Sequence, residues 1–403
     1  MPDIEDVSKR TQDRYSILFL PLYRDLRRKA SEGLWAINLA KAANLSGYPC
    51  TVVVGKTTDE IAGELQFARI HCLGVGAEYD LISEFRFYFS LLLIGFKAVS
   101  RNTIIHHAFP LGYGLGFNPF IFFLRRRHFV IGPLLYPSND PPDTSKSMGY
   151  SNSIRHQYKI FKPLLLKLHL YTLSRADHII FESESARDIY CELNGKIRDK
   201  PFTILWSGGL PDLNPSQPKV EEQETKVSRL AVITNLIQRK RVDIVIEALH
   251  QIEDQEVELV VIGTGPDERK LRDLSSKFEM DGRIRFLGAL EFSQIQYFLA
   301  GIDVLISMDE YPQIYQPSLQ EGMMAGTIVI KALNPPFIDA DKKRIAGGYL
   351  IRQDGVILAQ VLQELLKDKS LASLLKKEAR AFANANFTLN AVAQKLQLIY
   401  DSL

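Results

Sequence analysis

The sequence predicts an α/β protein of two doubly wound domains joined by a polar linker. Three features carry this: β-branched runs alternating with helical patterns, a proline-rich break at mid-chain, and a restart of the same alternation beyond it. At 403 residues the chain exceeds one compact core and suits two. In the first half, strands are expected at 16–22, 51–54, 68–73, 102–107, 128–132, 178–183 and 202–206. Their near-continuous apolar character suits a parallel sheet covered on both faces. A helix is expected over Glu32–Ser46, and the apolar run Phe85–Phe96 reads as a buried helix too short to span a bilayer. The segment 211–228 has three prolines, many charges and few apolar residues, and reads as the linker. Beyond it strands are expected at 229–234, 257–263, 284–288, 302–307 and 327–331, then helical stretches at about 355–384 and 388–402. Ligands of open α/β sheets bind past the carboxyl ends of the strands. The site is therefore expected in a cleft between the domains, one domain for each of two substrates.

Composition excludes several classes. Apolar residues make up 46% and charged residues 24%, a globular balance, and the formal net charge of +2 gives no reason to expect nucleic acid. Cys50, Cys72 and Cys191 fit neither a disulfide framework nor zinc-ligand spacing, so a reducing compartment is expected. The polar N-terminus lacks the apolar core of a secretory signal, which predicts a cytoplasmic protein or one resting on the inner face of a membrane.

Chemistry concentrates in the second half. The strand at 229–234 runs into a basic loop and a helix beginning near Val242, which sets Arg239 and Lys240 at a helix N-terminus suited to a diphosphate. A solvated basic loop is the other reading. In the segment 260–271, Gly263 and Gly265 allow a sharp turn and close approach of a ligand to the backbone, without the GxGxxG spacing of a dinucleotide fold. Glu321 is placed at a helix start, to hold ribose hydroxyls or to sit as an acid stabilised by the helix dipole. In the first half His106 and His107 end a strand at the expected cleft edge, and strand register decides which faces it.

The order of basic loop, GTGP turn and EGMMAG followed by a strand resembles the retaining glycosyltransferases of family 4 (group 1). Their fold is GT-B, two Rossmann-like domains facing across a cleft. The resemblance runs from about residue 16 to the end and implies four segments: an acceptor-side domain at 1–210, the linker at 211–228, a donor domain at 229–385, and a closing helix at 386–403 packing back on the first domain. It implies Lys240 as a donor-phosphate ligand and Glu321 as the second glutamate of an E-x7-E pair, holding the donor ribose. One of His106 and His107 would contact the transferred sugar. The segment 31–54 resembles the family's opening, which makes Glu32 and Gly33 acceptor-side residues.

Departures stand beside these matches. Gln313 takes the place of the first glutamate, where its amide can still bind a sugar hydroxyl. Asn235 takes the place of an arginine that would face the diphosphate, with Arg239 or Arg241 as substitutes, and Tyr315-Gln316 replaces Phe-Gly; Asn235 and Tyr315 are still expected beside the donor.

The resemblance implies hexose transfer with retention from a UDP- or GDP-linked sugar to a glycan or lipid-linked acceptor hydroxyl, with no metal and no cofactor. Lys240 would neutralise the leaving diphosphate and Gln313 would stand beside the sugar. Arginines and aromatics at 122–129 are either a contact with an anionic membrane or a solvated turn. The competing reading is a weakened or inactive relative that binds a sugar nucleotide or a partner, motivated by Gln313 and Asn235. An epimerase should show more carboxylates and histidines, and a nicotinamide enzyme the missing fingerprint.

Overall fold

The computed structural model describes residues 15–26, 31–74, 81–98, 102–108, 128–135, 152–206, 209–210, 228–254 and 256–403. It divides into two compact units: Met1–Pro211 with Thr388–Leu403, and Asp212–Phe387. The expected linker falls, but for Ser228, outside the described residues, as do the arginines at 125–127.

The first unit is built on a parallel seven-stranded sheet of order β3-β2-β1-β4-β5-β6-β7. The strands are β1 (Ser16–Asp25), β2 (Cys50–Lys56), β3 (Arg69–Cys72), β4 (Thr103–His107), β5 (Phe129–Leu134), β6 (His178–Phe181) and β7 (Phe202–Ile204). Every residue of β4, β5 and β6 is buried, as expected for strands covered on both faces. The helix Ser31–Leu45 lies on one face, packing Ile37 and Ala40 against Phe19 and Val52. The apolar run near Phe85 forms the helix Leu81–Ala98, but it is not buried all round: Phe89 and Leu93, one turn apart, are each 50% exposed. Among the described residues no helix is long and apolar enough to cross a membrane.

The chain returns to this unit at its end. The helix Leu389–Asp401 buries Val392, Leu396, Ile399 and Tyr400 in the core that holds Ile37. Two polar contacts fix its last turn: Tyr48 donates to Asp401 Oδ1 at 2.5 Å, and Tyr400 donates to His106 Nδ1 at 2.7 Å. The other His106 nitrogen, Nε2, faces the Gly132 carbonyl at 3.0 Å, so it carries the proton and Nδ1 is the acceptor. The ring also stacks on Phe19 at 4.9 Å. Burial pushes this histidine down to about 4, so the neutral form persists at physiological pH. Tyr400→Phe would leave Nδ1 buried without a donor. Its expected cost is about 1–3 kcal/mol in denaturant unfolding, and an unchanged midpoint would contradict this account of the latch.

The second unit repeats the plan with the order β10-β9-β8-β11-β12-β14-β13. Its strands are β8 (Arg229–Ile233), β9 (Glu258–Ile262), β10 (Ile284–Gly288), β11 (Val304–Ser307), β12 (Ile328–Leu333), β13 (Lys342–Ile345) and β14 (Gly348–Arg352). Among the described residues only β13 runs antiparallel, against β14. This hairpin was not foreseen, because Lys342, Lys343 and Arg344 interrupt the apolar pattern; they occupy an edge strand, where charge discourages further pairing. The expected helix at 355–384 is two helices, Gly355–Lys367 and Lys369–Asn386. They are divided at Asp368, whose carboxylate accepts from Leu371 N at 2.9 Å and starts the second.

Candidate functional site

Strand order reverses between β8 and β11 in the second unit, and at such a switch point the loops leaving two neighbouring strands part and open a crevice. The loop after β8 becomes a short 3-10 turn, Gln238–Lys240, then the helix Val242–His250. The loop after β11 spans residues 308–316 and leads into the helix Pro317–Ala325.

Their side chains meet at Asp309, which is 2% exposed. Lys240 Nζ lies 2.5 Å from Asp309 Oδ2, and Arg239 pairs with Oδ1. The backbone N–H of Tyr311 donates to Oδ1 at 3.0 Å and Gln316 Nε2 to Oδ2 at 2.8 Å, while Ser307 Oγ donates to the Gln316 amide oxygen at 3.1 Å. From the neighbouring strand β12, Lys331 Nζ donates to the Asp309 carbonyl at 2.6 Å. Gln353 Nε2 reaches the Met308 carbonyl at 2.5 Å, and Glu310 N donates to the Arg239 carbonyl at 3.1 Å. The loop is thus strapped by groups from the turn after β8, from β12 and from the residue that follows β14.

Electrostatics follow from burial and these partners. Burial alone would raise the Asp309 carboxyl, but Lys240, Lys331 and Arg239 outweigh it and hold it below the usual carboxylate range. Burial lowers Lys240, with Asp309 opposing. Lys331, fully buried, is pushed down to about 7, with Asp309 opposing and the two nearby cations adding to the shift.

Other expected residues take different places. Arg241 has a left-handed backbone at φ 48° and turns its guanidinium to Asp243 at 3.2 Å, with Glu310 of the site loop at 3.9 Å. Asn235 is exposed. Gly263 and Gly265 admit protein backbone where a ligand was expected: a Cβ on Gly263 would lie 1.8 Å from the Thr234 carbonyl oxygen, and one on Gly265 2.2 Å from that of Leu236. Their service is to let the loops after β8 and β9 touch, with Leu236 N donating to Thr264 O at 2.9 Å. Tyr315, expected beside the donor, is a core residue 8% exposed, with Phe382 and Phe387 at centroid distances of 5.2 and 5.3 Å.

Glu321 is the fifth residue of its helix rather than its start, which Pro317 occupies. It is half-buried, has no hydrogen-bond partner among the described residues, and is pushed up to about 7 by burial. Gln313 is half-buried in the loop before it.

In the first unit His106 and His107 are both buried. His106 has both nitrogens committed to Tyr400 and Gly132, which leaves it no group for a sugar. His107 Nδ1 has no partner, and burial with His169 and His106 nearby pushes the ring down to about 3. Gly33 is buried in the helix Ser31–Leu45, and the Glu32 side chain lies outside the described residues. Among the described residues no group of three or more His, Cys, Asp or Glu side chains is placed to hold a metal.

With this geometry in hand, residues 214–382 match the family model described as "Glycosyl transferases group 1". The match covers under half of the chain and lies within one of its two units. The matched segment coincides with the second unit, where the Asp309 cluster and Glu321 lie. The chain is 24% identical over 237 residues to the putative colanic acid biosynthesis glycosyltransferase WcaL of Escherichia coli, covering 50% of this chain and 56% of that one. It is 21% identical over 252 residues to the gpi3 subunit of phosphatidylinositol N-acetylglucosaminyltransferase of Schizosaccharomyces pombe, covering 59% and 51%. The chain spans about half the length of these curated relatives. Among solved structures, Anabaena HepE in complex with UDP superposes with a TM-score of 0.67 at 16% identity, covering 96% of this chain and all of that one. Sucrose-phosphate synthase of Thermosynechococcus elongatus gives 0.66 at 16% identity, covering 96% and 99%. These likenesses show the fold, which is GT-B.

Sequence reasoning missed Asp309 and Lys331 in the second unit. Lys331 left a signal, being a lone lysine inside the apolar run TIVIKAL. Asp309 left none, since an acid just past a strand is ordinary loop chemistry.

Proposed function

We propose that the protein is a retaining hexosyltransferase that takes a sugar from a nucleoside diphosphate donor, UDP- or GDP-linked, to an acceptor hydroxyl on a glycan or lipid-linked glycan. The observation that carries this reading is the convergence of Lys240 and Arg239 on one buried carboxylate at the switch point, with the unpartnered carboxyl of Glu321 on the helix after the same loop. Cations held in advance by protein stabilise a leaving diphosphate without reorganising as its charge develops. Glu321 supplies an acceptor for ribose hydroxyls, and Gln313 supplies an amide beside the sugar. UDP and UDP-glucose are bound by HepE, and they are the first donors to try.

In the reaction the bond between the anomeric carbon and the diphosphate oxygen breaks, and the acceptor oxygen bonds to that carbon on the same face. The acceptor proton passes to the departing phosphate oxygen, so no side-chain nucleophile and no metal is required. The first unit is proposed to take the acceptor, with peripheral contact at an anionic membrane. Neither strand-end histidine offers a group to a sugar there: His106 is withdrawn by its bonds, and His107 Nδ1 is buried.

A non-catalytic, nucleotide-binding role has one observation in its favour: Asp309 already pairs with both cations a diphosphate would use. Turnover separates the two. UDP-α-glucose and a panel of hydroxyl acceptors, followed by proton NMR, should yield an α-linked product at first appearance. Lys240→Ala should reduce the rate by about 10²–10³-fold. A β-linked product would overturn retention, and nucleotide binding without turnover would favour the non-catalytic reading.

A further inference from the structure

Lys331 belongs to no role assigned so far. It stands in β12, next to β11 and paired with Ser307 in register, with its side chain fully buried. An ammonium group is costly to bury unless it is paired. Its hydrogen bond is to the Asp309 carbonyl at 2.6 Å, while the carboxylate of the same residue serves Lys240 and Arg239. Those three cations thus bear on one carboxylate, and the cluster carries an excess of positive charge at the point where two strand ends part. A third cation here also answers the lack of one at Asn235, which is exposed and neutral.

We propose that Lys331 is a positioning residue of the donor-diphosphate site: from behind the Asp309 loop it holds that carboxylate in place by its carbonyl and adds the charge that lets a diphosphate bind beside it. The inference rests on the donor reading above. Lys331 does not touch the ligand, since no part of it reaches the surface. Its effect passes through the field and through the loop. The charged groups bearing on it are Asp309, Lys240 and Arg239. Because Lys331 is held near 7, an anion that favours its charged form binds with proton uptake, and affinity falls as pH rises through and above that value.

The test is calorimetry with three probes, inorganic pyrophosphate, UDP-glucose and uridine, on the wild type and Lys331→Met. Methionine keeps the length of the side chain without the charge. UDP-glucose affinity should fall by about tenfold or more, the order expected for one charge acting over roughly 10 Å at an effective dielectric near 20. Pyrophosphate should weaken alike, and uridine should change less than about twofold. Unchanged UDP-glucose binding in Lys331→Met overturns the proposal and leaves the donor reading standing. Pyrophosphate binding that requires Lys331, with no nucleotide bound by either protein, sinks the donor reading and overturns the proposal with it, leaving Lys331 at an anion site of another kind. No binding of either anion by the wild type sinks both.

Where the variant loses uridine as well, the wild type decides. UDP-glucose has both phosphates esterified and keeps a fixed charge across about pH 6–8, roughly one unit either side of Lys331. Glu321 also titrates near 7, but its ribose contact is common to UDP-glucose and uridine. The ratio of UDP-glucose to uridine affinity should therefore fall with rising pH. A flat ratio overturns the proposal.

Discussion

Asp309→Ala is expected to destabilise the second unit by about 3–5 kcal/mol, the cost of breaking a buried ion pair from one side. Lys240 and Arg239 lose their carboxylate together, and the Tyr311 N–H and the Gln316 amide lose their acceptor. For a unit of this size the midpoint of thermal unfolding should drop by about 6–20 °C. Asp309→Asn, which keeps an oxygen for one of the donors, should cost less. The pH dependence has a defined sign. The folded-state carboxyl is held low, so its contribution is complete above the ordinary carboxylate range and is lost as pH falls through its folded value. The gap between wild type and Asp309→Ala should therefore close on acidification below about pH 4. A midpoint unchanged at pH 7 would show that the cluster contributes nothing to the fold.

Gly263→Ala is expected to be the most damaging of the small substitutions, with loss of soluble folded protein or destabilisation beyond about 4 kcal/mol. Two costs combine there: a φ of +132° that side chains rarely adopt, and a Cβ placed 1.8 Å from the Thr234 carbonyl oxygen. Neither partner is a flexible side-chain end, so the strain has to move β8 or β9. Gly282→Ala is the control, since a Cβ there meets nothing within 4 Å. Circular dichroism melts should separate the two, with the control within about 0.5 kcal/mol of wild type. A well-folded Gly263→Ala protein would contradict the loop packing described at the switch point.

The parallel strands were legible because burial on both faces leaves apolar runs such as LVVI and VLIS, which few other structures require. The break at Asp368 and the hairpin at 342–352 were not, since each depends on a local polar residue overriding a longer pattern. At the site, Lys240 and Arg239 were readable from a basic loop between a strand and a helix. Which group they face was not: Asp309 comes from a strand end some 70 positions later, and sequence spacing holds no record of that pairing. His106 and Tyr315 show the same limit in reverse. Residue type and position suited ligand contact, but strand register and an aromatic cluster turned both into the core.

The central claim is that the second unit binds a nucleoside diphosphate sugar through Lys240 and Glu321. Calorimetric titration with UDP-, GDP- and dTDP-linked sugars, beside Lys240→Ala and Glu321→Ala, addresses it most directly. One nucleotide class should bind the wild type, and both variants should lose it while keeping their fold. Binding that survives in both variants, or a well-folded wild type that binds none of the three, would contradict the account.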